Sequence, residues 1–183
     1  MTLPVHTIDS APDKARPTLE AAHKGYGFVP NLLGVMASAP ALAKAYPTLA
    51  ALFDESAFDA TERQVVLLTA SAENGCGYCM AAHSVIAGMQ KVPEDVVAAL
   101  RDGQPIADPK LEALRRFTAS VVTKRGRPSE SDKQAFLDAG YAVGQMLDVV
   151  LGVGLKTLSN YTNHLADTPL DTAFASAEWS HAA

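Results

Sequence analysis

The sequence predicts an all-α protein of about eight helices, with a pair of cysteines at the start of a central helix. The chain has 183 residues, of which 48 % are hydrophobic but only 7 % aromatic, and it is rich in the helix formers Ala and Leu. Its 11 prolines and 12 glycines fall where short helices would start and stop. No segment has the alternating pattern of a strand that would compete with this interpretation.

The chain divides into one helical domain with two short extensions. A length of 183 residues is typical of a single domain that can bury a continuous core. Residues 1–17 contain three prolines and no helical period, so we treat them as an N-terminal arm. Residues 18–170 form the predicted domain. Residues 171–183 are a C-terminal tail in which Trp179 is the only sizeable anchor.

Capping signals predict the helices of the first half. A short helix is expected to end near Gly25, a brief one to begin at Pro30, and another at Pro40, because proline suits the first helical turn. Thr61 with Gln64 three residues later matches a capping box, which predicts a firm helix from 62 to about 73.

Four more helices are predicted after the cysteines. Proline starts or helix caps place them at about 93–103, 108–124, 129–140 and 143–164. The last is apolar on most sides until Ser159, which indicates a buried central helix or an oligomer interface. We therefore expect a homo-oligomer.

Charge and hydropathy limit the partners. The formal net charge is -5 and the sequence pI is near 5.5, which argues against binding to nucleic acid or an anionic membrane surface. The first residues lack the basic and apolar regions of a signal peptide. The longest apolar segment, 141–155, contains Asp148 and is followed by Lys156, so it is too short and too charged to span a bilayer. We expect a cytoplasmic protein.

Both cysteines lie in residues 73–83, ENGCGYCMAAH. Cys76 and Cys79 are three residues apart, so their sulfurs can meet on one helical turn, and His83 lies one turn further along the same face. Glu73 precedes the first cysteine by three residues. A nucleophile, a base and an acid are therefore predicted in one small patch.

The local sequence also predicts an activated thiol. Asn74-Gly75 is a helix stop, so a new helix is expected to begin near Cys76. The positive end of its dipole favours an anion in the first turn and lowers the pKa of a thiol there. In a reducing compartment, cysteines at this spacing are typically redox-active or metal-binding.

Three other interpretations of the motif stay open at this point. Free cysteine is a common core residue, so the pair can be structural. A zinc site needs four ligands, and Cys76, Cys79 and His83 supply three, with no second Cys or His pair nearby. A thioredoxin-type site would require a strand-helix-strand setting that the sequence does not show.

The motif ENGCGYCMAAHS resembles the signature of the AhpD-like alkylhydroperoxidases within the carboxymuconolactone decarboxylase superfamily. The segments TERQVVLLTAS, GFVPNLLGVMASAPAL and NYTNHLADTPL are similar to parts of its peroxidase-related branch. The resemblance covers about residues 25–170. It implies an all-helical fold that assembles into dimers, trimers or hexamers. The decarboxylase side of the superfamily lacks the cysteine pair.

The resemblance also implies residue roles. Cys79 would be the peroxidatic thiol, Cys76 the resolving thiol, and His83 with a glutamate the proton relay. The family's glutamate would lie at Gln64, whose amide cannot exchange a proton at neutral pH, so Glu73 is the expected replacement. Gln64 and His164 are the next candidates beside the reacting groups.

The sequence-based hypothesis is therefore a thiol peroxidase that needs no metal, flavin or nucleotide. Its partners would be a hydroperoxide and an external dithiol of the lipoyl or thioredoxin type. The alternatives are a non-catalytic helical oligomer that senses redox state or binds a ligand, and a decarboxylase-like enzyme.

Overall fold

The computed structural model describes residues 3–180, which form nine α-helices and one 3₁₀ helix without a strand. The all-α prediction is confirmed, with ten helical segments rather than about eight. In chain order the helices are α1 (Arg16–Tyr26), α2 (Asn31–Met36), α3 (Pro40–Asp54), α4 (Ala60–Glu73), α5 (Gly77–Met89), α6 (Glu94–Arg101), α7 (Pro109–Thr123), α8 (Glu130–Asp138), α9 (Gln145–Ala166) and the 3₁₀ helix (Thr172–Ala177).

Helix α4 begins with a capping box, but not with the predicted one. The Asp59 carboxylate accepts a hydrogen bond from Glu62 N at 2.8 Å, and Glu62 accepts one from Asp59 N at 3.0 Å. The prediction of Thr61 with Gln64 is wrong because Asp59 offers the same spacing two residues earlier. The earlier start leaves Gln64 inside α4, where its side chain is buried.

Helix α4 lies at the centre of the fold and packs against α5, α7 and α9. Its buried apolar side chains Val65, Val66 and Leu68 form part of the main core. Helix α9 comes close to this core at Gly152, where an added Cβ would lie 2.7 Å from Val66 and 2.8 Å from Phe53. The small residue therefore allows α9 to approach α4 and α3 closely.

No helix within residues 3–180 is long and apolar enough to cross a membrane. This finding agrees with the prediction that segment 141–155 is too short and too charged to span a bilayer. Lys156, which follows that segment, lies in the middle of α9.

The ends of the chain pack onto the helical domain. His6 N donates to Gly34 O on α2 at 3.1 Å, and Ala11 and Ala15 are buried beside Leu19 of α1. The boundaries at 17/18 and 170/171 remain predictions. Residues 1–2 of the predicted arm and 181–183 of the predicted tail lie outside the described residues.

The tail covers the start of α5. The Arg101 guanidinium donates to the carbonyl oxygens of Ala177 and Glu178, each at 3.0 Å, and Trp179 Nε1 donates to Arg101 O at 2.8 Å. An added Cβ at Gly77 would lie 2.7 Å from Trp179 O, so only glycine fits at this position. Trp179 therefore anchors the tail, but the prediction that it is the only sizeable anchor is wrong.

Phe174 is the second anchor of the tail. Its ring packs edge-on against Tyr78 and Phe28 at centroid distances of 6.0 and 5.9 Å. The Tyr78 hydroxyl donates to Asp171, and the Asp171 carboxylate also accepts from Asn31 N at 3.1 Å. The first turn of α5, the tail and α2 are thereby joined.

Candidate active site

The cysteine motif begins where α4 ends. Gly75 has a positive φ of 67°. The backbone N–H of the next residue, Cys76, donates to Ser71 O at 2.9 Å. This geometry is a glycine-terminated helix end. Cys76 is the N-cap of α5 and Cys79 lies in its first turn, so the predicted break at Asn74-Gly75 is confirmed.

Both thiols are free and enclosed. Cys76 is 1 % exposed and Cys79 is 2 % exposed. Asn163 Nδ2 on α9 lies 3.3 Å from Cys79 Sγ and 3.7 Å from Cys76 Sγ, and the Ser159 hydroxyl is 3.6 Å from Cys79 Sγ. Helix α9 therefore holds the two sulfurs together through polar side chains.

The environment separates the acidities of the two thiols. The hydrogen bond that Cys76 donates to Cys79 raises the pKa of Cys76 far above its usual value, and burial raises it further. Burial also acts to raise the pKa of Cys79. This effect is outweighed by the Cys76 hydrogen bond, the charge of Lys156 and the Ser159 hydroxyl, which hold the Cys79 pKa well below its usual range. These surroundings favour the thiolate form of Cys79 and the protonated form of Cys76.

Lys156 on α9 is fully buried beside this thiolate. Burial acts to lower its pKa, but the negative charge of Cys79 outweighs it and keeps the ammonium protonated. The groups that act most strongly on its charge are Cys79, Tyr46 and Cys76, and none of them is a carboxylate. Lys156 and Cys79 thus form a buried cation-thiolate pair.

His83 is positioned by an amide relay rather than by an acid. Its Nδ1 lies 3.0 Å from Gln64 Oε1, and Gln64 Nε2 donates to Gln90 Oε1 at 3.0 Å. With the oxygen facing the ring, Nδ1 carries the proton and Nε2 is left with a lone pair. Burial, followed by the charge of Lys156, lowers the pKa of His83 well below its usual value. The imidazole is therefore a neutral base.

Two predicted site residues lie away from the sulfurs. Glu73 is exposed at the last residue of α4, and within residues 3–180 its carboxylate makes no hydrogen bond or ion pair with Cys76, Cys79 or His83. His164 is also exposed, and its ring stacks against Tyr161 at 6.4 Å. The structure places Cys76 and Cys79 beside the same Asn163 amide and pairs His83 with Gln64, whereas Glu73 and His164 lie apart from both pairs. All six roles remain predictions.

Sequence reasoning missed the α9 side of the site. Lys156, Ser159, Asn160 and Asn163 are buried and follow the spacing i, i+3, i+4, i+7 that places residues on one helix face. A polar stripe inside an apolar helix was the available signal, because such a stripe must meet polar groups when it is buried.

Within the described part of the chain, no three His, Cys, Asp or Glu side chains are grouped as metal ligands. Two surface grooves of about 320 and 330 Å³ lie away from the sulfurs, the first between α5 and α6 and the second beside the N-terminal arm.

Residues 40–120, which include both cysteines and His83, match the carboxymuconolactone decarboxylase family. The chain has the AhpD-like fold of this superfamily. The structure is similar to the alkylhydroperoxidase AhpD core of a peroxidase-related protein from Ralstonia eutropha JMP134, with 22 % identity, a TM-score of 0.82, and coverage of 93 % of this chain and 92 % of that one. The predicted resemblance is thereby confirmed for the fold.

Two further structures have the AhpD-like fold at lower identity. A peroxidase-related protein from Silicibacter sp. TM1040 has 18 % identity, a TM-score of 0.79, and coverage of 95 % and 92 % of the two chains. The debrominase Bmp8, as a cysteine-to-alanine variant with 2,3,4-tribromopyrrole, has 18 % identity, a TM-score of 0.79, and coverage of 97 % and 95 %. No curated protein has a significant sequence match to this chain.

Proposed function

We propose that this protein is a dithiol oxidoreductase that reduces hydroperoxides. One observation supports this function most strongly: two buried thiols share the Asn163 amide, whose Nδ2 lies 3.3 Å from Cys79 Sγ and 3.7 Å from Cys76 Sγ. Their surroundings lower the pKa of Cys79 and raise that of Cys76. The thiolate is the nucleophilic form of cysteine, and a neighbouring thiol is what a sulfenic acid needs for closure to a disulfide. The AhpD-like fold and its peroxidase-related neighbours agree with this chemistry.

The reaction has three steps. Cys79 thiolate attacks the terminal oxygen of a hydroperoxide, the O–O bond breaks, and Cys79 sulfenic acid and an alcohol form as the leaving alkoxide takes a proton. Cys76 then attacks the sulfenic sulfur, which releases water and forms the Cys76–Cys79 disulfide. An external dithiol of the lipoyl or thioredoxin class transfers two electrons and two protons and restores the thiols.

The difference between the pKa values of Cys76 and Cys79 sets the order of these steps. Cys79 Sγ receives hydrogen bonds from Asn163 and from the Cys76 thiol, so its negative charge is stabilised before the peroxide arrives. The Cys76 proton is released more easily once Cys79 is oxidised, because the anion that accepted its hydrogen bond is gone. Resolution therefore follows oxidation.

The test is peroxide consumption with matched serine variants. Cys79→Ser should consume no peroxide, whereas Cys76→Ser should react once and stop as a sulfenic acid that a dimedone-type probe can trap. Intact-mass measurement of the oxidised wild-type protein should show the loss of two hydrogens, reversed by dithiol. A sulfenic acid trapped on Cys76 in the Cys79→Ser protein would reverse the roles, and thiols that stay free under peroxide would refute the function.

A second candidate is reductive dehalogenation, which the similarity to the Bmp8 debrominase favours. In this reaction the Cys76 and Cys79 thiols supply two electrons and become a disulfide. One carbon-bromine bond is replaced by a carbon-hydrogen bond, and HBr is released. The same pair of thiols serves both reactions.

The two candidates separate in one assay with alkyl hydroperoxides and brominated pyrroles as parallel substrates and a dithiol as reductant. Bromide release dependent on Cys79, without peroxide turnover, would select dehalogenation. A disulfide that forms in both cases without sustained turnover would instead support the redox-sensing alternative.

A further inference from the structure

The inner face of α9 carries two buried donors that lack a hydrogen bond of standard geometry within residues 3–180, although the charge of Lys156 is paired with Cys79. Lys156 Nζ and Asn160 Nδ2 make no hydrogen bond of standard geometry among the described residues, although both residues are 0 % exposed. They lie one turn apart on the same face as Ser159 and Asn163, which hold the sulfurs. Buried donors normally find an acceptor, so this cluster is suited to an electronegative group that arrives during the reaction.

A buried lysine without a carboxylate is unusual. Desolvating an ammonium costs several kcal/mol unless a counter-charge compensates it, and here the counter-charge is the Cys79 thiolate. Attack on a peroxide removes that negative charge from sulfur and transfers it to the departing oxygen. The anion that balances Lys156 therefore moves from Cys79 to the leaving group within the same enclosed site.

Apart from the Tyr46 phenol, whose pKa is raised by burial, the proposed reaction lacks an acid at this step. Gln64 is an amide and cannot give up a proton at neutral pH. His83 is held neutral, with its pKa well below the usual value because of burial and the charge of Lys156. Glu73 is exposed and does not contact the sulfurs. Cys76 is needed in its protonated form until the sulfenic acid has formed.

We propose that Lys156 is the general acid of the reaction at Cys79, donating its Nζ proton to the leaving oxygen, which Asn160 Nδ2 helps to bind. This inference rests on the proposed peroxidase function and names the residue that protonates its leaving group. Lys156 replaces, by a cation on α9, the carboxylate that the resemblance places at Gln64.

The step balances in atoms and charge. Cys79 thiolate, hydroperoxide and Lys156 ammonium become Cys79 sulfenic acid, an alcohol and a neutral Lys156 amine. Cys76 thiol and the sulfenic acid then give the disulfide and water, with the amine able to relay the Cys76 proton to the departing hydroxide. The external dithiol finally returns one proton to Cys76 and one to Lys156 as it becomes a disulfide.

The groups facing Lys156 define how the site responds to pH. They are Cys76, Cys79 and His83 on α5 and Tyr46 on α3. Lys156 also favours the thiolate, so its removal has two consequences: a raised Cys79 pKa and a lost proton donor. An informative test must separate them.

Leaving-group dependence separates these consequences. An alkyl hydroperoxide expels a strongly basic alkoxide that needs a proton, whereas a peracid expels a carboxylate that does not. Oxidation should be measured in single turnover for wild type, Lys156→Met and Lys156→Arg, with thiolate content determined in parallel by ultraviolet absorbance against pH. Lys133→Met, which removes a partly exposed lysine of α8 that pairs with Glu130, is the control for loss of a charge.

At equal thiolate content, Lys156→Met should lose roughly 10²-fold in rate with tert-butyl hydroperoxide, as expected for a missing general acid, but less than tenfold with peracetic acid. Lys156→Arg should keep the thiolate and lose the alkyl hydroperoxide rate, because guanidinium does not give up its proton. Equal losses with both oxidants, or no loss, would overturn the inference.

If Lys156→Met does not fold, a measurement on the wild-type protein alone still tests the inference. The wild-type rate should depend only weakly on leaving-group basicity across a series of alkyl hydroperoxides, and a steep dependence would contradict an internal acid. A wild-type protein that reacts with neither oxidant would instead refute the proposed function itself.

Discussion

Over its second half, the inner face of α9 is inverted relative to an ordinary surface helix, whereas over its first half it buries the apolar Val149 and Leu155. Its inner face carries the buried polar side chains Lys156, Ser159, Asn160 and Asn163. Its outer side exposes large apolar side chains, together with one that precedes the helix: Val143, Leu147, Val150, Tyr161 and Leu165. A helix normally buries its apolar stripe and exposes its polar one, so each face of α9 needs an explanation beyond stability of the monomer.

The two faces of α9 suit two different roles, chemistry on the inner face and assembly on the outer face. The inner face places polar groups around two sulfurs, which is costly in a core unless the groups are paired or used. The outer face has apolar residues at 147, 150, 161 and 165, spaced by three, eleven and four residues, and each of these spacings is close to a whole number of helical turns. Exposed apolar patches of this kind indicate a protein-protein contact, and we propose that a second copy of the chain covers it.

The largest expected effect comes from a charge on the outer face. Leu147 is 72 % exposed and Leu165 is 79 % exposed, so glutamate at either position should not disturb the monomer. We expect Leu147→Glu with Leu165→Glu to abolish association, because two desolvated carboxylates at an interface are strongly unfavourable. Light scattering at micromolar concentration should then give the mass of one chain, where the wild type gives a multiple.

Met89→Glu is the matched control. Met89 is also 79 % exposed but lies at the end of α5, so its substitution should leave the mass unchanged. A wild-type protein that is already monomeric would contradict the assembly.

The next largest effect is expected on the inner face at Asn163. Its Nδ2 donates to both sulfurs, and a hydrogen bond to a charged group is worth about 1.5–3 kcal/mol. Asn163→Leu should therefore slow the oxidation of Cys79 by roughly 10- to 10²-fold and raise its pKa. The rate and the thiolate absorbance should be measured together, with Thr162→Leu, one residue away, as the control. An unchanged thiolate pKa would exclude this role for Asn163.

The fold followed from local signals because caps and breakers act over a few residues. Asp108, Ser129 and the Asn74-Gly75 break each occupy their predicted positions. The inner face of α9 could not be placed in the same way, because α5 and α9 are about 80 residues apart and only packing brings Lys156 to Cys79. Gly152 is one cause of that packing, and its close contact with Phe53 is not visible in local sequence.

A smaller effect is expected in the pH dependence of stability. The Cys79 pKa is lowered in the folded state, so the stabilisation is fully present above the unfolded thiol pKa of about 8.5 and is lost as pH falls through the folded value. His83, also lowered, adds a loss in the same direction below about pH 6.5. The free energy of unfolding should thus fall on acidification, by up to about 1.4 kcal/mol per pH unit for each proton.

Urea unfolding at a series of pH values measures this slope. Cys79→Ser should have a flatter profile between about pH 8.5 and 6.5, because only the thiol is removed there. Equal slopes in the two proteins would mean that Cys79 is not ionised in the folded state.

The smallest effect is expected at Glu73, where sequence and structure lead to different expectations. As the replacement for the carboxylate missing at Gln64, Glu73 should matter by roughly 10²-fold when changed to glutamine. In the structure its side chain is exposed at the end of α4 and does not contact the thiols or His83, and its charge acts instead on Arg115. We therefore expect Glu73→Gln to change peroxide turnover by less than about threefold, well below the loss for a general acid. Gln64→Ala should have a larger effect, because it removes the acceptor that fixes the His83 tautomer. If Glu73→Gln instead lost as much activity as Lys156→Met, the proton would have to travel along α4, and the contrast between the two faces of α9 would no longer account for the chemistry.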